Sequence, residues 1–209
     1  MRVLVACEYS GRVRAAFRAR GHDAWSCDLL PSDDDSPYHI IGDVLPVLGK
    51  GWDLVIAHPP CTYLTCAAEW AYGPGPYHQK VKAETITGTD RISARLDAIA
   101  FVKTIWNCPA PRVCIENPVG VLSSHLGKPS AVQPHEHGDN ASKKTCLWLR
   151  GLTPLVPTAH VAPRLINGRP RWANQTDSGQ NNLTPGLDRW KMRSLTYKGI
   201  ANAMAAQWG

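Results

Sequence analysis

Apolar residues in this chain fall in short runs with amphipathic stretches between them, the rhythm of a parallel α/β sheet. Arg2-Val3-Leu4-Val5-Ala6 reads as a buried strand, and Cys7 to Gly11 as a turn. Val13, Ala16 and Phe17 then give a helical face that ends at Gly21. Asp23-Ala24-Trp25-Ser26-Cys27 starts a second strand, closing at Asp28. Strand, helix and strand in this order predict parallel pairing with right-handed crossovers. Residues 32–37 form a polar loop, and His39-Ile40-Ile41 is short, ending at Gly42-Asp43. Residues 52–57 are the next buried strand.

From 62 to 89 the pattern fails. Gly73-Pro74-Gly75-Pro76 continues neither helix nor strand, and a loop this long in a compact domain reads as a functional lid. Ile92, Leu96, Ile99, Ala100, Lys103 and Trp106 trace a helix, broken by the prolines at 109 and 111. A strand follows through Val113-Cys114-Ile115 to Glu116. Residues 122–140 are loop-rich, 145–149 read as a strand, and 151–188 are rich in proline, glycine and asparagine. The last segment is helical after Gly199. The expected division is a core over 1–150, a small irregular lobe over 151–190 and a returning C-terminal helix over 191–209.

A length of 209 residues suits one domain with a substantial core. No repeat and no bilayer-length apolar run is present, and a strand begins at once, so a soluble cytoplasmic protein without a signal peptide is expected. Seven scattered cysteines, odd in number and mostly in apolar runs, read as reduced thiols. A formal charge of +6 suits a polyanionic partner. Arg12, Arg14, Arg18 and Arg20 crowd the first helix. Arg164, Arg169, Arg171, Arg189, Lys191 and Arg193 interleave with Trp172 and Trp190. Such a cluster either stacks bases and holds phosphates or is a solvated surface over two core tryptophans.

The chemistry sits at two strand ends. His58-Pro59-Pro60-Cys61 follows Leu54-Val55-Ile56-Ala57, and Glu116-Asn117 follows Val113-Cys114-Ile115. In an open α/β sheet such ends meet at one crevice. A thiol and a carboxyl group there make a nucleophile and a proton donor. The pair suits group addition at carbon 5 of a pyrimidine. Thiolate addition at carbon 6 loads electron density onto carbon 5, while a carboxyl group with raised proton affinity engages ring nitrogen 3. Cys61 as an inert buried thiol and Glu116 as a hydrogen-bond anchor are the plain alternatives. The two prolines favour chemistry, because they suit a sheet rim and not its interior.

These residues resemble the DNA cytosine-5 methyltransferases in their small phage-type or minimal form. The family's Pro-Cys motif is matched by Pro60-Cys61, and its Glu-Asn-Val motif by Glu116-Asn117, with Pro118 in place of valine. Gly199-Ile200-Ala201-Asn202-Ala203 is similar to its final Gly-Asn-Ala/Ser-Val motif. The resemblance implies a Rossmann-like methyltransferase fold that uses S-adenosyl-L-methionine, and a small C-terminal recognition lobe. It implies that Cys61 attacks cytosine and Glu116 engages its ring nitrogen and amino group, with Pro60 and Asn117 beside them. Cys7, Glu8, Ser10 and Gly11 would face the cofactor's methionine part, Asp28 with Leu29 its ribose, and Asp43 with Val44 its adenine. Pro59, Asn202 and Ala203 would complete that pocket. The family's Gln-x-Arg-x-Arg motif has its glutamine at Gln133, with His135 and His137 where arginines belong; Lys143 and Lys144 are candidate substitutes. Arg171 and Trp172 are the lobe's candidate substrate contacts.

The expected partner is DNA, duplex before single-stranded, with a free cytosine nucleotide as the alternative; a duplex target must be flipped out. An amino methyltransferase shares the Pro-Pro turn but needs an aromatic residue where Cys61 stands, and a non-enzymatic nucleic-acid-binding module has no use for the thiol. No metal is expected, since Cys61, Cys66, His135 and His137 lack the usual zinc spacing.

Overall fold

The computed structural model describes residues 1–77, 81, 84–186 and 189–209. The chain opens with β1 (Arg2–Ala6), α1 (Arg12–Arg18) and β2 (Asp23–Asp28), then β3 (His39–Ile41) and β4 (Leu54–Ala57). After the long loop come α2 (Gly88–Trp106), β5 (Arg112–Asn117), α3 (Ser123–Leu126), β6 (Ser130–Val132) and β7 (Thr145–Arg150). The C-terminal part holds β8 (Arg164–Ile166), β9 (Arg169–Arg171), α4 (Arg189–Ser194) and α5 (Lys198–Trp208).

Seven strands form one sheet in the order β3-β2-β1-β4-β5-β7-β6. The first five strands in chain order pair in parallel, while β7 runs antiparallel between β5 and β6. This is an open, Rossmann-like α/β fold with a mostly parallel sheet, its order reversing between β1 and β4, the place where such sheets open a ligand crevice. Both faces are covered, which explains the unbroken apolar runs. Val3 and Val5 pack with α1 and α5 through Phe17, Met204 and Trp208. Leu4 and Ala6 pack on the opposite face, with Val102 and Ile105 of α2.

The turn after β1 is set by Gly11 (φ +66°), whose added Cβ would strike the Arg14 guanidinium. Buried Glu8 accepts from the backbone N–H of Val13 (2.7 Å) and of Arg14 (3.2 Å), satisfying donors at the start of α1.

The structure adds elements the pattern leaves out. Residues Cys66–Tyr72 form a 3-10 segment inside the long loop, and β6 pairs only three residues at the sheet edge. The C-terminal lobe carries the β8–β9 hairpin, turned at Asn167 (φ 50°) and Gly168 (φ 73°), the Asn-Gly pair that tight hairpins favour. The start of the lobe is tied to α5: the Gln207 side chain exchanges two 2.8 Å bonds with the Val156 backbone, and Trp208 Nε1 donates to the Thr153 carbonyl (3.0 Å). Among the described residues no helix is long and apolar enough to cross a membrane.

Candidate active site

A cavity of about 700 Å³ opens at the carboxyl ends of the parallel strands. Cys7 after β1, Asp28 and Leu29 at the end of β2, Asp43 and Val44 after β3, and Pro59 after β4 line it together. Each aspartate is oriented by a backbone N–H two residues on: Leu30 to Asp28 Oδ1 and Leu45 to Asp43 Oδ1, both at 3.0 Å. Their charges reach the cavity floor. Burial, then Asp28, Cys27 and Asp43, pushes the Cys7 thiol up to about 12, and burial with the same two aspartates pushes Cys27 to about 11. Both thiols are therefore neutral. The far wall is α2, through Ala94, Asp97, Ala98 and Phe101, with Tyr63 and Leu64 closing the mouth.

The other residues expected at the cofactor lie elsewhere. Glu8 is spent on the start of α1, Ser10 Oγ lies 3.5 Å from Glu8, and Gly11 shapes that turn; none of the three lines the cavity. Asn202 and Ala203 are on α5, which covers the opposite face of the sheet; Asn202 is exposed, and Ala203 is buried in that core. The polypeptide reaches the cavity from α2 instead.

The second half of the site is built across β4 and β5. Their register pairs Ala57 with Ile115, so the next residues, His58 and Glu116, meet. His58 Nδ1 lies 2.9 Å from Glu116 Oε2. One residue on, Asn117 Nδ2 donates to the Pro59 carbonyl (2.8 Å) from a buried position. Cys61 is exposed, between Pro60 and Thr62, which both line the cavity. Its carbonyl accepts from the N–H groups of Leu64 (3.0 Å) and Thr65 (3.1 Å), making a tight turn at Cys61. That turn is locked to the segment after β5: Val121 N–H donates to the Leu64 carbonyl (2.9 Å), and Gly120 pairs with Thr65.

Electrostatics at this junction differ from expectation. Burial by itself raises Glu116, but the His58 hydrogen bond and charge, with help from Lys143, outweigh it and hold the carboxyl below its ordinary range. For His58, burial works downward, and the bond and charge of Glu116, with Glu8 behind it, carry the imidazole above its ordinary range despite Lys143. Glu116 thus lacks the raised proton affinity inferred from burial alone, because an imidazole answers it.

The long loop is docked from α2. Arg95 pairs with Glu69 (2.6 Å), donates to the Tyr63 carbonyl (2.8 Å) and lies 3.5 Å over the Tyr72 ring. Buried Arg91 donates to the Thr62 carbonyl (3.4 Å). The lid expected over 62–89 also covers 78–80, 82 and 83, which lie outside the described residues.

The candidate substrate contacts divide. Gln133 Oε1 accepts from Lys143 N–H (3.1 Å), while Lys143 Nζ donates to the Arg193 carbonyl (2.8 Å) and its charge bears on Glu116. Lys144 is exposed. His135 stacks on Trp172 (4.1 Å), and His137 Nδ1 meets Thr158 Oγ1 (3.2 Å), so both histidines clamp the lobe to the core. Arg171 donates to three carbonyls of its own hairpin region, at Pro170, Asp177 and Ser178. Sequence reasoning missed His58 and the α2 wall. The second had a readable signal, small residues at 94 and 98 beside Asp97 on an otherwise apolar face.

No protein-family model matches the chain, and no curated protein does. Solved structures do match. One is a mutant of Spodoptera frugiperda DNMT2, with a TM-score of 0.40 and 13% identity over 71% of this chain and 49% of that one. This chain therefore spans about half the length of that protein.

Proposed function

We propose that the protein transfers a methyl group from S-adenosylmethionine to carbon 5 of cytosine in DNA, through a covalent adduct at Cys61. The observation that carries this reading is the joining of two halves. An exposed thiol sits between two cavity-lining residues, and a carboxyl group is bonded to the same Pro-Pro segment through His58 and Asn117. Neither a binding module nor an amino methyltransferase needs both.

The cavity fits the cofactor. Its volume lies in the range of small-molecule sites. Asp28 and Asp43 offer acceptors to ribose hydroxyls and an adenine amino group, and Leu29, Val44 and Phe101 offer apolar cover to a base. Bound there, S-adenosylmethionine supplies an electrophilic methyl group. Cys61 forms the S–C bond at carbon 6, and the π pair moves onto carbon 5 and toward nitrogen 3. Glu116 holds nitrogen 3 and the amino group as that charge grows. Pro59 and Pro60 keep the approach rigid, and Asn117 fixes the Pro59 carbonyl. The charge of +6 and a Trp190 on α4 that is 54% exposed favour a polymeric nucleic acid as substrate.

The test is covalent trapping with 5-fluorocytosine in duplex DNA, in single-stranded DNA and as the free nucleotide, each with S-adenosylmethionine. Fluorine blocks loss of the carbon 5 substituent, so an adduct at Cys61 supports the reading, and the substrate that gives it names the partner. Cofactor binding without an adduct on any of the three overturns it.

A further inference from the structure

His58 has no assigned part in a thiol–carboxyl scheme, yet the two halves of the site close on it. Its side chain is 9% exposed, Nδ1 is bonded to Glu116, and Nε2 is buried without a hydrogen-bond partner among the described residues. A buried ring nitrogen left unsatisfied is costly, and it stands three residues before the nucleophile.

We propose that His58 is a positioning residue that stores the proton Glu116 delivers to the pyrimidine, so that the imidazole–carboxylate pair is the acid of the site. This rests on the function proposed above. The charged groups that face the imidazole come from three sides: Glu116 on β5, Glu8 in the turn after β1, and Lys143 before β7. Arg14 of α1 bears on Glu8. The thiols of Cys114 and Cys146, which lie near Glu116, are pushed up by burial and stay neutral. Two carboxyl groups against one lysine favour the imidazolium. A buried carboxyl group without such a partner keeps its own proton. Glu116 has given that proton to the ring 2.9 Å away.

Proton transfers then balance. As the sulfur–carbon 6 bond forms, the Nδ1–H bond of His58 breaks and its proton passes through the Glu116 carboxylate to nitrogen 3, where the new N–H bond forms, leaving neutral imidazole and Glu116 still ionised. When the thiolate departs, the nitrogen 3 proton returns through Glu116 to Nδ1. The hydrogen on carbon 5 leaves separately, as a proton taken up by water. The pair works while it holds one proton between its two groups, so its active range runs from the lowered Glu116 to the raised His58.

Nitrogen-15 NMR of histidine-labelled full-length protein tests the store directly, with His58→Asn used to assign the resonance. The His58 ring is expected to titrate above the usual value of about 6.5 and to move down in Glu116→Gln. His58→Asn also separates positioning from storage, since its amide donates to Glu116 as Nδ1 does but takes up no proton. It should lower kcat on cytosine-containing DNA by about tenfold or more and erase the alkaline limb of the wild-type pH profile. A ring that titrates at its usual value, or an alkaline limb that survives in His58→Asn, overturns the proposal. Trapping at Cys61 keeps the two readings apart. An adduct with an unshifted His58 removes the proton store alone. No adduct on any substrate removes the function, and with it the catalytic use of the store.

Discussion

Replacing Gly120 with alanine tests how the two strand ends are locked together. Its added Cβ would lie 1.9 Å from the Leu64 carbonyl oxygen and 2.8 Å from both the Leu64 carbonyl carbon and the Thr65 Cα. All three are backbone atoms, so no rotamer change relieves the contact. Gly120 lies outside the left-handed region, so the effect is one of space alone. The segment after β5 and the Cys61 turn must part by about 1 Å or more, which strains the Val121 to Leu64 bond of 2.9 Å. Overpacking costs about 1–3 kcal/mol and the lost hydrogen bond about 1 kcal/mol. For a domain of this size that total lowers Tm by about 4–16 °C. Displacing a nucleophile by about 1 Å costs on the order of a hundredfold in rate. Differential scanning calorimetry and the rate of trapping on 5-fluorocytosine DNA are the assays. A Tm unchanged within error, with a trapping rate within about twofold of wild type, would refute the locking.

Removing the Asp28 carboxylate (Asp28→Ala) should weaken S-adenosylmethionine binding about tenfold or more, because charge-assisted bonds are worth about 1.5–3 kcal/mol; isothermal titration measures it, and unchanged affinity moves the ribose elsewhere. Glu8→Ala leaves the N–H groups of Val13 and Arg14 without their acceptor and should cost about 2–4 kcal/mol in urea unfolding, with Glu8→Gln intermediate. The His58–Glu116 pair also gives stability a pH signature. The raised His58 contributes fully below its unfolded value of about 6.5 and is lost as pH rises through its folded value; the lowered Glu116 contributes fully above about 4.3 and is lost as pH falls through its folded value. Stability from the pair is therefore greatest between those two unfolded values, and Glu116→Gln should flatten the wild-type curve on both sides; parallel curves would show that the pair is uncoupled.

How much of this was legible in the sequence depended on distance along the chain. The strands of the core and the crevice at their ends follow from local periodicity, and Asp28, Asp43 and Pro59 reach the cavity because each ends a strand or lies within two residues of a strand end. Residues whose partners are remote escaped that reading. His135 and Trp172 meet face to face across 37 positions, so a histidine standing where the resemblance expects an arginine is engaged by the lobe. Asn202 and Ala203 match a motif, but the packing of α5 against α1 decides which side of the sheet they occupy. Glu116 shows the limit most sharply. Its place at a strand end was readable from Val113-Cys114-Ile115, while its protonation depends on register, since pairing Ala57 with Ile115 brings the next side chains together. A slip of one residue would point His58 to the other face of the sheet and leave a buried carboxyl group holding its own proton. The His58–Glu116 pair is thus a property of the β4–β5 register, which no single segment of the chain encodes.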